Sequence, residues 1–283
     1  MDCNTLFIAS LNSGSNGNCY YVGNQQEAVL IDAGISCKET EIRMARIGLS
    51  MHSVKAIFIS HEHSDHIRGL AVLAKKYQLP VYITPGTLLN CSAKLKEELI
   101  RPLSQEQDIC IGNLCVRSFL KIHDAAEPHS FTVSCGPTKV GIFTDLGAVC
   151  DQLIHHFKQC DAAFLEANYD EEMLFKGAYP FYLKRRISGG QGHLSNKQAL
   201  DLFLTHRPAH MTHLLLSHLS RDNNDPQLVL DLFEAQETNV HVVVASRQEE
   251  SAVFTIGQPA EHLSGEISPK NQSGLQAPYP SMG

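Results

Sequence analysis

The sequence predicts an α/β protein in which two sheets carry helices on their outer sides. Short apolar runs recur from Leu6 to Ile256, bounded by clusters of Gly, Asn, Ser, Asp and Pro, the pattern of strands and their turns. Stretches of helical period close each strand-rich half of the chain, and helices laid outside sheets are how such halves bury their faces. At 283 residues, 43% hydrophobic and 19% charged, the chain can bury a sizeable core, which excludes a disordered or fibrous protein. No Pro- or Gly-rich linker divides residues 1–257, so they read as one domain. Residues 258–283 are rich in Pro, Ser, Gly and Gln and read as a disordered tail.

In order, Leu6–Ala9 is a strand, and Ser13-Gly14-Ser15-Asn16-Gly17-Asn18 is a turn cluster. Tyr20–Val22 and Ala28–Ile31 follow as strands, the second closing on Asp32-Ala33-Gly34. A helix carrying Ile42, Met44, Ala45 and Ile47 stops at Gly48. Val54–Ile59 is a continuous apolar strand that runs straight into Ser60-His61. Next come a helix from His66 to Tyr77, a strand at Val81–Ile83 and a helix from Gly86 to Leu99. Strands recur at Leu114–Leu120, Phe131–Ser134 and Val140–Thr144. The rest alternates: helix Cys150–Phe157, strand Ala162–Leu165, helix Asn196–Leu204, strand Leu214–Ser217 and helix Pro226–Ala235. Strands at Val240–Val244 and Ala252–Ile256 complete it.

Lys and Arg number 23 against 30 Asp and Glu, a formal net charge of -7. That excludes global basicity as the means of holding nucleic acid, so any such contact is local. No apolar run approaches the about 20 residues of a membrane helix, and Met1-Asp2-Cys3-Asn4 lacks a positively charged leader region. These points predict a cytoplasmic protein with no membrane partner. Cys3, Cys19, Cys37, Cys91, Cys110, Cys115, Cys135, Cys150 and Cys160 are scattered, with no C-x-x-C pair, and read as reduced, mostly buried thiols.

Fifteen histidines against no tryptophan point toward metal chemistry. The strongest signal is His61-Glu62-His63-Ser64-Asp65-His66, where a buried strand ends and a helix begins. His61 and His63 share one face of the extended chain, while Asp65 and His66 turn toward a second point. Three imidazoles and a carboxylate make a nitrogen and oxygen donor set suited to Zn, Mn or Fe. His123, Asp145 and His218 each follow an apolar strand in the same way, and their recurrence favours ligands over structural residues. His129, six residues after His123, competes with it for one ligand place.

The His-x-His-x-Asp-His run followed by His123, Asp145 and His218 resembles the metallo-β-lactamase superfamily. More narrowly, Ser13–Tyr20, Phe58–His66, His123–Pro128, Thr144–Gly147, Leu165–Asp170 and Gly192–Asn196 resemble its YycJ/WalJ-type branch, over roughly residues 5–257. The resemblance implies a four-layer αββα sandwich with two divalent metal ions, Zn or Mn, along one edge. It implies that His61, His63 and His123 hold one ion, that Asp65, His66 and His218 hold the other, and that Asp145 bridges them. It also implies a 5′→3′ exonuclease on double-stranded DNA, with DNA preferred over RNA as partner and a metal-bridged hydroxide as nucleophile.

A metal pair lowers the pKa of a bridging water toward neutrality and clamps attacking and leaving oxygens, which suits phosphodiester cleavage. Asp65 belongs to that catalytic set. His193 is the candidate general acid, with Glu166 orienting it, as in the Glu–His pair of the tRNA-processing cousins. Lys184-Arg185-Arg186, with Tyr179, Phe181 and Tyr182 before them, are candidates for a phosphate backbone and an unpaired base. A solvated basic turn over core aromatics is the plainer alternative. Ser15, Asn16 and Asn18 are candidates for presenting a terminal phosphate to backbone N–H groups; a plain hairpin turn is the alternative there. Competing functions are an RNA 3′-processing endonuclease, a small-molecule metallohydrolase and a non-catalytic adaptor.

Overall fold

The computed structural model of the protein describes residues 4–257, and the expected tail at 258–283 lies outside the described residues. The first half runs β1 (Leu6–Asn12), β2 (Cys19–Gly23), β3 (Ala28–Ile31), α1 (Cys37–Arg46), β4 (Val54–Phe58), α2 (Ser64–Ile67), α3 (Leu70–Tyr77), β5 (Val81–Ile83), α4 (Pro85–Asn90) and β6 (Ile100–Pro102). The second runs β7 (Asp108–Ile111), β8 (Leu114–Leu120), β9 (His129–Cys135), β10 (Thr138–Phe143), α5 (Asp151–Phe157), β11 (Ala162–Glu166), α6 (Glu171–Lys176) and α7 (Phe181–Ser188). It ends with α8 (Asn196–His206), β12 (His213–Ser217), α9 (Pro226–Glu234), β13 (His241–Val244) and β14 (Phe254–Ile256).

The strands form two sheets of seven, in the orders β14-β1-β2-β3-β4-β5-β6 and β13-β12-β11-β10-β9-β8-β7. In the first, β1, β2 and β3 are antiparallel neighbours and β3 through β6 run parallel. In the second, β7 through β10 form an antiparallel meander and β10 through β13 run parallel. Parallel sheets covered on both faces need strands that are apolar throughout. In β3, Val29 and Ile31 face the second sheet with Tyr20, Phe58, Phe131 and Phe164. Ala28 and Leu30 face outward to Met44, Leu70 and Leu73 of α1 and α3. The outer face of the second sheet carries Phe143 and Leu165 against Phe157, Phe203 and Phe233 of α5, α8 and α9. The layers are therefore αββα, as expected.

Helix ends are set locally. Ser36 and Thr84 cap α1 and α4 through backbone N–H groups of Glu39 and Thr87. Ser195 and Gln198 form a reciprocal capping box at the start of α8. The helix expected from His66 to Tyr77 is two, α2 and α3. They part at Gly69, whose N–H donates to the Ala33 carbonyl at 2.8 Å. A side chain at Gly69 would meet the Ile35 carbonyl oxygen at 1.9 Å. The helix expected from Gly86 to Leu99 ends at Asn90, and residues 97–99 make one 3-10 turn leading into β6. The basic stretch Lys184-Arg185-Arg186 lies on α7, not on the turn that was its plainer alternative, and Phe181 and Tyr182 before it are exposed instead of core.

The thiols also differ from expectation. The β7–β8 register sets Cys110 directly opposite Cys115, and the two form a disulfide with Cα atoms 4.1 Å apart. Cys135 is disulfide-bonded as well, whereas Cys19, Cys37, Cys91, Cys150 and Cys160 are free. Scattered spacing in sequence concealed a cross-strand pair because hairpin register, not spacing, creates the proximity. Among the described residues, no helix is long and apolar enough to cross a membrane.

Candidate metal centre

The site is assembled where strands stop. β4 leads into Ser60-His61, β10 into Asp145 and β12 into His218, while Glu166 is the last residue of β11. Neighbouring strands that run parallel end on the same edge, so their next residues converge there. Asp32, Asp145 and His218 follow β3, β10 and β12 with φ of 63°, 56° and 57°. That left-handed backbone costs a non-glycine residue on the order of 1 kcal/mol. It turns each chain sharply enough to swing its side chain over the sheet edge.

Four overlapping groups of donor atoms result, each with its atoms within 4.8 Å of one another: His61, His63 and His123; Asp65, His66 and His218; His61, His66 and Asp145; and Asp145, Glu166, His193 and His218. His63 Nδ1 lies 3.0 Å from His61 Nε2 and 3.4 Å from His123 Nε2. Asp65 Oδ2 lies 3.5 Å from His66 Nε2 and 3.6 Å from His218 Nε2. Asp145 spans the two groups, with Oδ2 at 3.2 Å from His66 Nε2 and Oδ1 at 3.8 Å from His123 Nε2. Donors around a tetrahedral ion with bonds of about 2.0–2.1 Å sit about 3.3 Å apart, which these spacings match. Asp145 Oδ2 and His218 Nε2 are also buried without a hydrogen-bond partner. Buried orphan atoms are costly unless something else satisfies them, and a divalent ion fits that need.

Further partners fix the ligands. His66 Nδ1 lies 2.7 Å from Asp32 Oδ2, and His61 Nδ1 lies 2.9 Å from Ser60 Oγ. Ser60 donates to Asp32 from both its N–H and its hydroxyl, each at 2.8 Å. His123 Nδ1 lies 2.9 Å from the Gly192 carbonyl. With the other ring nitrogen engaged, each imidazole is held in one orientation. Close packing holds the loop too: a Cβ on Gly34 would meet the Asp65 carbonyl oxygen at 1.7 Å.

Charge follows burial and neighbours. Burial, together with His66 and Lys121, pushes His61 well below the ordinary imidazole range. Burial brings His123 down to about 4. Both are held neutral, as ligands must be. Burial opposes a charge on His66 and His218 as well, but the surrounding carboxylates outweigh it. Asp145, Asp32 and Asp65 hold His66 well above its usual range, and Asp145, Asp65 and Glu166 bring His218 up to about 10. Conversely, His218 and His66 hold Asp145 well below the carboxylate range against its burial. Both shifts favour protonated His66 and His218 beside the buried carboxylates.

Glu166 is fully buried. Its Oε2 accepts from the N–H groups of Leu146 at 2.7 Å and Leu194 at 3.1 Å. Its Oε1 lies 2.7 Å from His193 Nδ1 and 3.0 Å from His218 Nδ1. Burial works against its ionisation, but His193 and His218 bring it down to about 2. His193 is one of the more open groups at the site, with its side chain 20% exposed.

The beta-lactamase superfamily domain matches residues 27–218 of this chain. The chain belongs to the metallo-β-lactamase superfamily. Within the superfamily it is of the YycJ/WalJ type. It is 38% identical over 231 residues to exodeoxyribonuclease YycJ of Bacillus anthracis, covering 79% of this chain and 86% of that protein. It is 32% identical over 223 residues to exodeoxyribonuclease WalJ of Streptococcus pneumoniae, covering 77% and 83%. In fold it is similar to the metallo-β-lactamase fold protein YhfI of Bacillus subtilis, with a TM-score of 0.69, 15% identity and coverage of 89% and 99%.

In this metallo-β-lactamase-fold chain the seven expected ligands converge, and His193 and Glu166 join them. His129 does not: it begins β9, buried, with neither ring nitrogen hydrogen-bonded and outside the donor groups. The other candidates separate. Asn18 is fully buried, donating to Asp65 Oδ2 at 3.1 Å, with its Nδ2 3.1 Å from His66 Nε2. Ser15 and Asn16 are exposed, and Asn16 donates to the Arg247 carbonyl. On α7, Arg186 turns to Asp124, donating at 2.6 Å, while Lys184 and Arg185 face elsewhere. Asp32 was not among the expected site residues. Its signal was the one that found Asp145: a carboxylate closing an apolar strand.

Proposed function

We propose that the protein is a metal-dependent nuclease, and specifically a 5′→3′ exonuclease on double-stranded DNA. The observation that carries this is the pair of facing donor groups bridged by Asp145, with the Glu166–His193 pair on the same rim. Exodeoxyribonuclease relatives covering more than four-fifths of their own length support the nuclease reading. Two divalent ions, when bound, supply an ionised water and neutralise charge on a phosphoryl oxygen. His61, His63 and His123 would hold one, Asp65, His66 and His218 the other, with Asp145 between the two groups.

The chain's own groups do the rest. Glu166 accepts from His193 Nδ1–H, which fixes the tautomer and leaves Nε2 to carry the proton for the departing alkoxide. Asp65, held by Asn18, orients the attacking water. Exposed Ser15 and Asn16 offer backbone N–H groups to a 5′ phosphate. Arg186, anchored on Asp124 beside His123, meets a phosphate backbone at the rim, while Lys184 and Arg185 lie on the cavity side of α7.

The test is an assay on end-labelled DNA and RNA of defined ends, with Mn and with Zn, beside an Asp145→Ala control. Release of nucleotides from 5′ ends of duplex DNA, lost in the control, is the expected result. Cleavage of RNA alone, or no cleavage with either metal, rejects the proposal.

A further inference from the structure

α7 is unlike the other long helices, because none of its residues is buried. Its face follows helical spacing all the same. Phe181, Lys184, Arg185 and Ser188, at i, i+3, i+4 and i+7, line one side of an open cavity of about 670 Å3. Tyr169, Glu171, Leu174 and Phe175, before and on α6, line the other side. Phe175 is 80% exposed and Phe181 78%. Two large rings held toward water at a cavity mouth are unfavourable for a chain with nothing to put between them.

The cavity adjoins the metal centre. Tyr169 lies three residues beyond Glu166 and bridges to Ser195, two residues beyond His193. The Ile187 carbonyl of α7 accepts from His193 N–H at 2.8 Å. Arg186 leaves α7 toward Asp124, next to His123. One side of this helix therefore touches the catalytic rim while another forms the cavity wall. Lys184 Nζ donates to the Phe175 carbonyl, tying the two walls together at 2.7 Å. Arg185 is exposed, with no hydrogen-bond or ion-pair partner among the described residues.

Aromatic faces beside cations, next to a phosphodiester site, are the chemistry that takes a nucleobase and its phosphate. Rings stack on any base, and the cations follow the backbone. We propose that the cavity between α6 and α7 receives one unpaired base of the strand being cut, with Phe175 and Phe181 stacking on it and Arg185 on the adjoining phosphate. This rests on the nuclease reading and deepens it: the enzyme opens the terminal base pair before cleaving, instead of accepting a closed duplex end.

The probe is a DNA duplex carrying 5-iodouracil at its 5′-terminal positions and cleavage-resistant phosphorothioate linkages, mixed with the metal-loaded full-length protein and illuminated. Cross-links are expected on peptides containing Phe175 or Phe181. The Phe175→Ala/Phe181→Ala double variant loses them and binds the duplex about tenfold more weakly. Both side chains are exposed, so the fold survives, and Leu89→Ala on α4, 86% exposed, is the control that binds as wild type. Wild-type protein that degrades duplexes while cross-links and affinity ignore both phenylalanines overturns the cavity and leaves the nuclease reading intact. Wild-type protein that cuts no DNA yet cross-links through Phe175 or Phe181 overturns the nuclease reading, and with it the opening of a strand for cleavage, while base binding in the cavity stands.

Discussion

Glu166 shows how much one buried carboxylate decides. It is held by two backbone N–H groups and touches both His193 and His218. If His193 delivers the proton to the leaving group, His193→Gln lowers kcat on DNA by about 10²–10⁴ with bound metal unchanged. The same variant recovers on a nitrophenyl phosphodiester, whose leaving group needs no proton. Equal losses on both substrates, with metal retained, place His193 in a different role. Glu166→Gln does not separate these effects, because it disturbs a ligand and the acid together.

At the scale of elements, the loop carrying His61 to His66 depends on its neighbour. Gly34 leaves no room for a Cβ against the Asp65 carbonyl, so Gly34→Ala pushes that loop outward. The expected outcome is a stability loss of about 1–3 kcal/mol and a larger loss in metal affinity, read by thermal melting and by metal analysis after dialysis. A variant that melts lower but keeps its metal shows that the loop yields elsewhere. The strands bearing ligands were legible because each is a continuous apolar run that stops at a His or Asp. β7 was missed because it is an edge strand with alternating exposure. α7 was missed because a helix without buried residues has no apolar stripe to read. The segment after Asn90 looks helical, but Cys91, Ala93 and Leu95 pack singly onto the outer core of the first sheet. Asp32 carries the same signal as Asp145, a carboxylate closing an apolar strand, but with Ala33-Gly34 after it the segment reads equally as a turn. The Cys110–Cys115 disulfide was invisible until the hairpin register existed.

For the whole molecule, metal and protons compete. His218, brought up to about 10, carries a proton in metal-free protein at neutral pH and must lose it to become a ligand. Its raised value stabilises the metal-free fold below about pH 6.5 and loses that effect as pH climbs toward 10. Metal uptake near pH 7 therefore releases protons, which calorimetry in buffers of different ionisation heat detects. Chelation lowers the melting temperature, by more at high pH than at pH 6. A melting point indifferent to chelation rejects the assignment. The candidate ligands come from both sheets: His61, His63, Asp65 and His66 hang from the first, and His123, Asp145 and His218 from the second. Metal seated between them would work as a rivet through two plates. Pull it out, and the plates keep their greasy filling but are free to shear at one rim, where amide hydrogens then exchange first.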